Sequence, residues 1–258
     1  MVLELPRSSS TPAKPVITWE PLPADYKLPD DPVENLQQPL LAAALTDALG
    51  ANRRIQPEML IVSNFGLVAT VNKKIVVKAP DWLYVPRVNP VAADVIRRSY
   101  TPNVEGDPVA VVMEFLSEEE GGELSVRSTP PYGKLYFYEQ VLAVPTYITY
   151  DPYEPALDVR CLQEGRYVVQ AANDQGRVFI PELQLWLGIW RGDRLGNTIN
   201  WLRWWDEAGN LLLWSAEQAE QERQRAEQER QRAEQERQRA DALAEKLREL
   251  GVDPDSVV

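Results

Sequence analysis

The segment Val109–Leu116, VAVVMEFL, is apolar at every position except Glu114. A strand that alternates apolar and polar residues can leave one face in water, and this one does not alternate. It predicts a strand covered on both faces. A carboxylate inside such a strand is costly to bury unless it is paired or holds a cation. One residue thus links the question of fold to the question of chemistry.

The residue types that are missing narrow that chemistry. The 258 residues include no histidine and one cysteine, Cys161. This excludes nucleophile–histidine pairs, histidine acid–base catalysis and histidine-ligated zinc or haem. It also excludes an intramolecular disulfide, a four-cysteine metal site and a CxxC redox pair. Carboxylates, Lys, Arg, Tyr, Ser and Thr remain, and carboxylates favour hard cations such as Mg²⁺, Mn²⁺ or Ca²⁺. Lys plus Arg is 27 and Asp plus Glu is 39, a net charge of -12. That argues against broad, non-specific binding of nucleic acid, though a local basic cleft or a neutralising metal stays compatible with it. No apolar run approaches the roughly 20 residues of a membrane span, and the first residues lack a secretory apolar stretch. The expectation is a cytoplasmic protein with no membrane partner.

Along the chain, residues 1–32 read as an extended arm rich in Pro, Ser and Asp. Residues 33–49 predict a helix with Leu36, Leu40, Ala43 and Ala44 on one face, Pro39 kinking it or delaying its start, and Gly50 as a stop. Two β-rich runs, Glu58–Val71 and Lys74–Val85, flank Asn72-Lys73 as a hairpin. Residues 86–107 and 117–130 read as polar loops on either side of the apolar strand. A helix is expected over 131–143 and a strand over Thr146–Tyr150, closed by Asp151-Pro152. The order of elements implies one mixed α/β sheet. The expected divisions are an arm (1–32), an α/β core (33–152), a β-rich extension (153–215), a charged helical tail (216–250) and a short C-terminal end (251–258).

The extension contains short strand-like runs, Leu211–Trp214 the last of them, and six tryptophans: Trp186, Trp190, Trp201, Trp204, Trp205 and Trp214. Core and cross-strand packing is the plain reading of these rings, and a base-stacking platform is the sharper one. In the tail, AEQERQR occurs three times, from Ala219, Ala226 and Ala233. Each heptad offers a single alanine to a seam, whereas a stable coiled coil wants two larger residues. The repeat therefore reads as a solvated helix laced by Glu–Arg pairs, each worth roughly 0.2–0.5 kcal/mol. Ala240, Leu243, Leu247 and Leu250 form a short apolar stripe at its tip, enough for weak homo-oligomerisation. With ten acidic and eight basic residues in 216–250, the tail leaves most of the negative charge on the rest of the chain.

Three residues stand out as a site. Asp81 follows Pro80 in KAPDWLYV, within the second strand of the expected hairpin; Glu114 lies near the end of the apolar strand; Lys134 opens PYGKLYFYEQ. Two strand-borne carboxylates make a compact site for Mg²⁺ or Mn²⁺, and a nearby lysine can orient a water or stabilise charge on a phosphate. The alternative for Glu114 is a strand-end carboxylate paired with Arg or Lys.

The stretches APDWLYV, VVMEFLS and GKLYFYEQVLAVPTYITYDP resemble the Uma-type family of restriction endonuclease-like proteins in the PD-(D/E)XK nuclease superfamily. The likeness spans roughly residues 33–152, and LQLWLGIWRG, NWLRWWDEAGNLLLW and the AEQERQR tail also look like this family. It implies a restriction-endonuclease-like α/β fold, a mixed sheet flanked by helices. It further implies Asp81 and Glu114 as metal ligands with the Phe115 carbonyl, Lys134 as the catalytic cation, Mg²⁺ or Mn²⁺ as cofactor, and DNA as substrate. The superfamily lysine two residues after the Glu is Leu116 here, and Lys134 stands in for it. Arg87, Arg97 and Arg98 lie in the gap between Asp81 and Glu114, as a phosphate-binding or merely solvated loop. Glu118, Glu119, Glu120 and Glu123 would repel a phosphate backbone unless they turn away or bind a second metal. Glu34 is either an additional acid or surface. Besides a metal-dependent endonuclease, the sequence admits an inactive nuclease-like scaffold acting as an assembly or adaptor protein through its tail. A third reading is an aromatic domain binding a peptide or single strand.

Overall fold

The computed structural model describes residues 16–249 apart from 22, 24–35, 93, 117–121 and 123. Glu34, Glu118, Glu119, Glu120, Glu123, Leu250, residues 251–258 and most of the expected arm lie outside the described residues. In chain order the elements are β1 (Ile17–Thr18), α1 (Gln37–Ala51), β2 (Leu60–Val62), β3 (Gly66–Val71), β4 (Lys74–Lys78), β5 (Trp82–Val85), β6 (Ser99–Tyr100) and β7 (Val111–Phe115). Then come α2 (Lys134–Tyr136), which runs into a π-turn (Phe137–Val141), β8 (Thr146–Asp151), β9 (Ala156–Gln163), β10 (Arg166–Val169), β11 (Arg177–Ile180), β12 (Leu185–Arg194), β13 (Asn197–Trp205) and α3 (Ser215–Glu249). No helix among the described residues is long and apolar enough to cross a membrane.

The apolar strand is central, as its composition requires. The main sheet has the order β10-β9-β8-β7-β5-β2, with β7 and β8 parallel and the other pairs antiparallel. Every residue of β7 is buried. Val111, Met113 and Phe115 enter one core with α1 and the β11-β12-β13 sheet, while Val112 enters a second core with β3, β5 and the π-turn. This is the mixed α/β architecture of a restriction-endonuclease-like fold. The sheet also continues past Asp151-Pro152, because β9 pairs onto β8 and β10 onto β9.

Asn72 and Lys73 both have positive φ (49° and 64°) and close the β3–β4 hairpin as a two-residue turn. The run Lys74–Val85 is two strands rather than one. β4 belongs to the smaller β1-β3-β4 sheet and β5 to the main sheet. Pro80 lacks the N–H that a continuous strand would use, and its carbonyl accepts the Asn64 N–H at 3.0 Å. Asp81 therefore sits on the crossing between sheets, not within the hairpin.

Other expectations shift for physical reasons. α1 starts at Gln37, which puts Pro39 in the first turn, where no intrahelical N–H partner is lost. Its buried face is Gln38, Leu41, Ala42, Ala44, Leu45, Ala48 and Leu49; Leu36 and Ala43 are exposed. Trp204 and Trp214 donate their indole N–H groups to the Leu45 and Ala44 carbonyls, so α1 is covered by the third sheet as well as the main one. Trp201, Trp204, Trp205 and Trp214 are buried, which makes them packing residues. Leu211–Trp214 is no strand beyond one bridge, Trp205 to Leu211. Its backbone serves side chains instead: the Leu212 carbonyl accepts from Arg203, the Leu213 carbonyl from Asn52, and Glu217 takes the Trp214 N–H.

α3 is the expected solvated helix. None of its residues is buried, and Glu220–Arg223 and Glu227–Arg230 pair along it at i,i+3. Its base is fixed by Arg203, which is fully buried. The guanidinium bonds both Glu217 oxygens (2.6 and 3.1 Å) and lies 3.4 Å from the Trp214 ring centre.

Candidate active site

The site forms where β7 ends, and three elements converge on it. Asp81, entering β5, accepts the Phe115 N–H on Oδ2 at 2.5 Å. That N–H belongs to the peptide joining Glu114 to Phe115, so the two carboxylates flank one peptide unit. On its other side, the Phe115 carbonyl accepts Gln38 Nε2 from α1 at 2.8 Å.

Glu114 is wholly buried, yet both its oxygens have donors. Lys134 Nζ lies 3.1 Å from Oε2, and the Tyr138 hydroxyl donates to Oε1 at 2.8 Å. The Lys134 side chain is 26% exposed, so the ion pair spans from interior to surface. Burial, reinforced by the Glu114 charge, holds the Tyr138 hydroxyl well above its ordinary range. Tyr138 thus stays a phenol and acts on Glu114 as a donor. Tyr147 packs behind it at 5.3 Å between ring centres, and Tyr167 stacks on Tyr147 at 5.6 Å.

Local structure explains how the lysine reaches the strand end. Gly133 packs so tightly on Ser125 that a Cβ would lie 2.1 Å from the Ser125 carbonyl oxygen. Lys134 begins α2 directly after it, and Tyr138 follows one turn later in the π-turn. Glu139 anchors that turn by accepting the Tyr167 N–H at 2.7 Å and Arg166 at 3.0 Å. The irregular turn is a common device at functional sites.

The structure therefore brings Asp81, Glu114, Phe115 and Lys134 together. Neither Gln38 nor Tyr138 stands out in the sequence as a site residue, although the i,i+4 spacing of Tyr138 from Lys134 places those two on one helix face. Arg97, from the gap loop, is engaged by Glu105 at 2.6 Å and by the Asn89 carbonyl at 2.7 Å. Arg87 lies 3.8 Å from Asp107.

Among the described residues, no group of three or more His, Cys, Asp or Glu side chains gathers as a metal cluster. The donor set at the strand end is two carboxylates and one backbone carbonyl. It contains oxygen only, which fits the preference of Mg²⁺ and Mn²⁺.

The restriction-endonuclease-like α/β core defines the class of fold, and at the end of β7 it holds two carboxylates and a lysine. Residues 28–195, more than half of the chain, match the family model Uma2, described as "Putative restriction endonuclease", and the chain belongs to that family. No curated protein matches the chain significantly.

Proposed function

We propose that the protein is a metal-dependent endonuclease that hydrolyses DNA phosphodiester bonds. The observation that carries this reading is the wholly buried Glu114, paired to Lys134 and joined through its own peptide to Asp81. Membership of a family described as "Putative restriction endonuclease" supports it. Asp81, Glu114 and the Phe115 carbonyl would hold Mg²⁺ or Mn²⁺. When bound, such an ion lowers the pKa of a water and neutralises charge on a phosphoryl oxygen.

The chain's own groups do the remaining work. Gln38 and the Phe115 N–H fix the ligand oxygens in place. Tyr138 aims the Glu114 carboxylate. Lys134, the one member of the cluster reaching solvent as a cation, orients the attacking water or stabilises charge on the phosphate. The test is plasmid nicking with added Mg²⁺ or Mn²⁺. Cation-dependent nicking that is lost in Asp81→Asn supports the reading, and its absence in the wild-type chain rejects it.

A second reading, an assembly or adaptor role, is favoured by α3, whose 35 residues bury no side chain and end in an apolar tip with Leu243 61% exposed. Light scattering on the full chain and on a chain ending at Gln218 tests it. An equal mass per subunit count in both rejects self-assembly through the tail.

A further inference from the structure

We propose that Arg160, held in place by the buried Thr149, forms a phosphate-binding subsite beside Glu114 and grips a backbone phosphate of the nucleic acid. The inference rests on the nuclease reading and adds a substrate contact to it.

Strand register carries the argument. Paired residues on neighbouring strands share a face of the sheet. Glu114 pairs with Thr149 and Thr149 with Asp158. Trp82 pairs with Met113, so Asp81, one residue earlier, comes opposite Glu114. Asp81, Glu114, Thr149 and Asp158 therefore form a polar row across β5, β7, β8 and β9. One row inward the same face is apolar and aromatic: Leu83, Val112 and Tyr147. The next member of that inner row is Arg160, the partner of Tyr147.

A cation in an otherwise apolar row is out of place unless it serves the polar one. Arg160 turns toward it: Nη1 donates to Thr149 Oγ1 at 3.0 Å and Nη2 to Asp158 Oδ2 at 2.9 Å. The Arg160 side chain is 13% exposed, so its stem is fixed, while that of Asp158 is 53% exposed. Such an open ion pair contributes little to stability. Guanidinium has five N–H donors in a planar fork that matches phosphate oxygens, and these two bonds use only part of it. Thr149 lies between Arg160 and Glu114, so a phosphate held by the fork sits one strand from the carboxylate pair. Asp158 occupies the fork as a replaceable anion, and the cation offsets repulsion between an acidic chain and a polyanion.

The test is fluorescence anisotropy of the full chain with a labelled DNA duplex in Ca²⁺, across a salt series. Arg160→Gln should weaken binding about tenfold, to the same degree on every sequence. It should also reduce the slope of log affinity against log salt by about 1. Arg160→Lys should keep the slope and recover part of the affinity. Asp158→Asn should tighten binding, a gain that a purely structural role cannot produce. Wild-type affinity and slope in Arg160→Gln, with a wild-type chain that binds and nicks, overturns the subsite and leaves the nuclease reading intact. Should Arg160→Gln fail to fold, Asp158→Asn decides: binding no tighter than wild type overturns the proposal. A wild-type chain that neither binds nor nicks DNA overturns both.

Discussion

Two side chains with the same burial do opposite jobs in this protein. Glu114 and Arg203 are each wholly buried, and each pairs with a partner that reaches solvent: Lys134 at 26% and Glu217 at 31% exposure. Around Arg203 the remaining contacts are tryptophan faces, Trp214 at 3.4 Å and Trp190 at 5.0 Å, with the Leu212 carbonyl. Burial lowers the Arg203 pKa, and Glu217 works against that. Around Glu114 the neighbours are polar and carry chemistry: Asp81, Tyr138, Thr149 and the Phe115 peptide. A buried charge by itself therefore does not mark a site. An aromatic jacket surrounds Arg203, whereas Glu114 shares its strand end with a second carboxylate, the pair that the proposed function assigns to a cation.

The sharpest way to separate the two is to remove one partner from each. Glu217→Ala leaves Arg203 buried without its counter-charge, and should cost about 3–5 kcal/mol in denaturant unfolding. Nicking per folded molecule should be unchanged. Asp81→Asn should do the reverse: nicking falls on the order of 10²–10³-fold, while the melting temperature holds or rises as repulsion of Glu114 is relieved. Equal loss of stability in both variants would erase the distinction. Tyr138→Phe lies between them. It removes one donor to buried Glu114, costs about 1–3 kcal/mol, and should lower kcat with KM little changed, as expected of a positioning residue.

The smallest effect concerns Glu182, which accepts the Thr146 hydroxyl at 2.8 Å and whose pKa is raised chiefly by burial. An acid whose folded pKa lies above its unfolded one contributes stability at low pH, lost as pH rises through the folded value. Glu182→Gln should therefore be more stable than wild type at pH 7, with the gap closing below the ordinary glutamate range. Urea unfolding at both pH values measures it.

The sequence made some of this legible and hid the rest for definable reasons. β7 could be read because a run with no alternation has one structural meaning, and Glu114 stood out within it. Asp81 was conspicuous only beside Pro80 and through the family likeness; Pro80 signals a break in the strand, but not that the next strand joins another sheet. Helical spacing found the inward face of 131–143, since Leu135, Tyr138, Val141 and Leu142 all pack on the second core, but it did not show that the turn is a wide one. Ala43 misled because α1 is covered from two sides, which rewards a different arc than a single stripe suggests. Thr149 and Arg160 could not be found at all from sequence, since their neighbourhood is created by pairing between strands distant in the chain.

The base of α3 has a consequence for its repeats. Each seven-residue copy adds about 10.5 Å of length and turns the helix by only about 20° away from a whole number of revolutions. Because Arg203 and Trp214 hold the first turn, gaining or losing one copy shifts the distal leucines outward or inward on almost the same bearing. Copy number thus works as a ruler, setting how far the tip stands from the body without disturbing the strand ends.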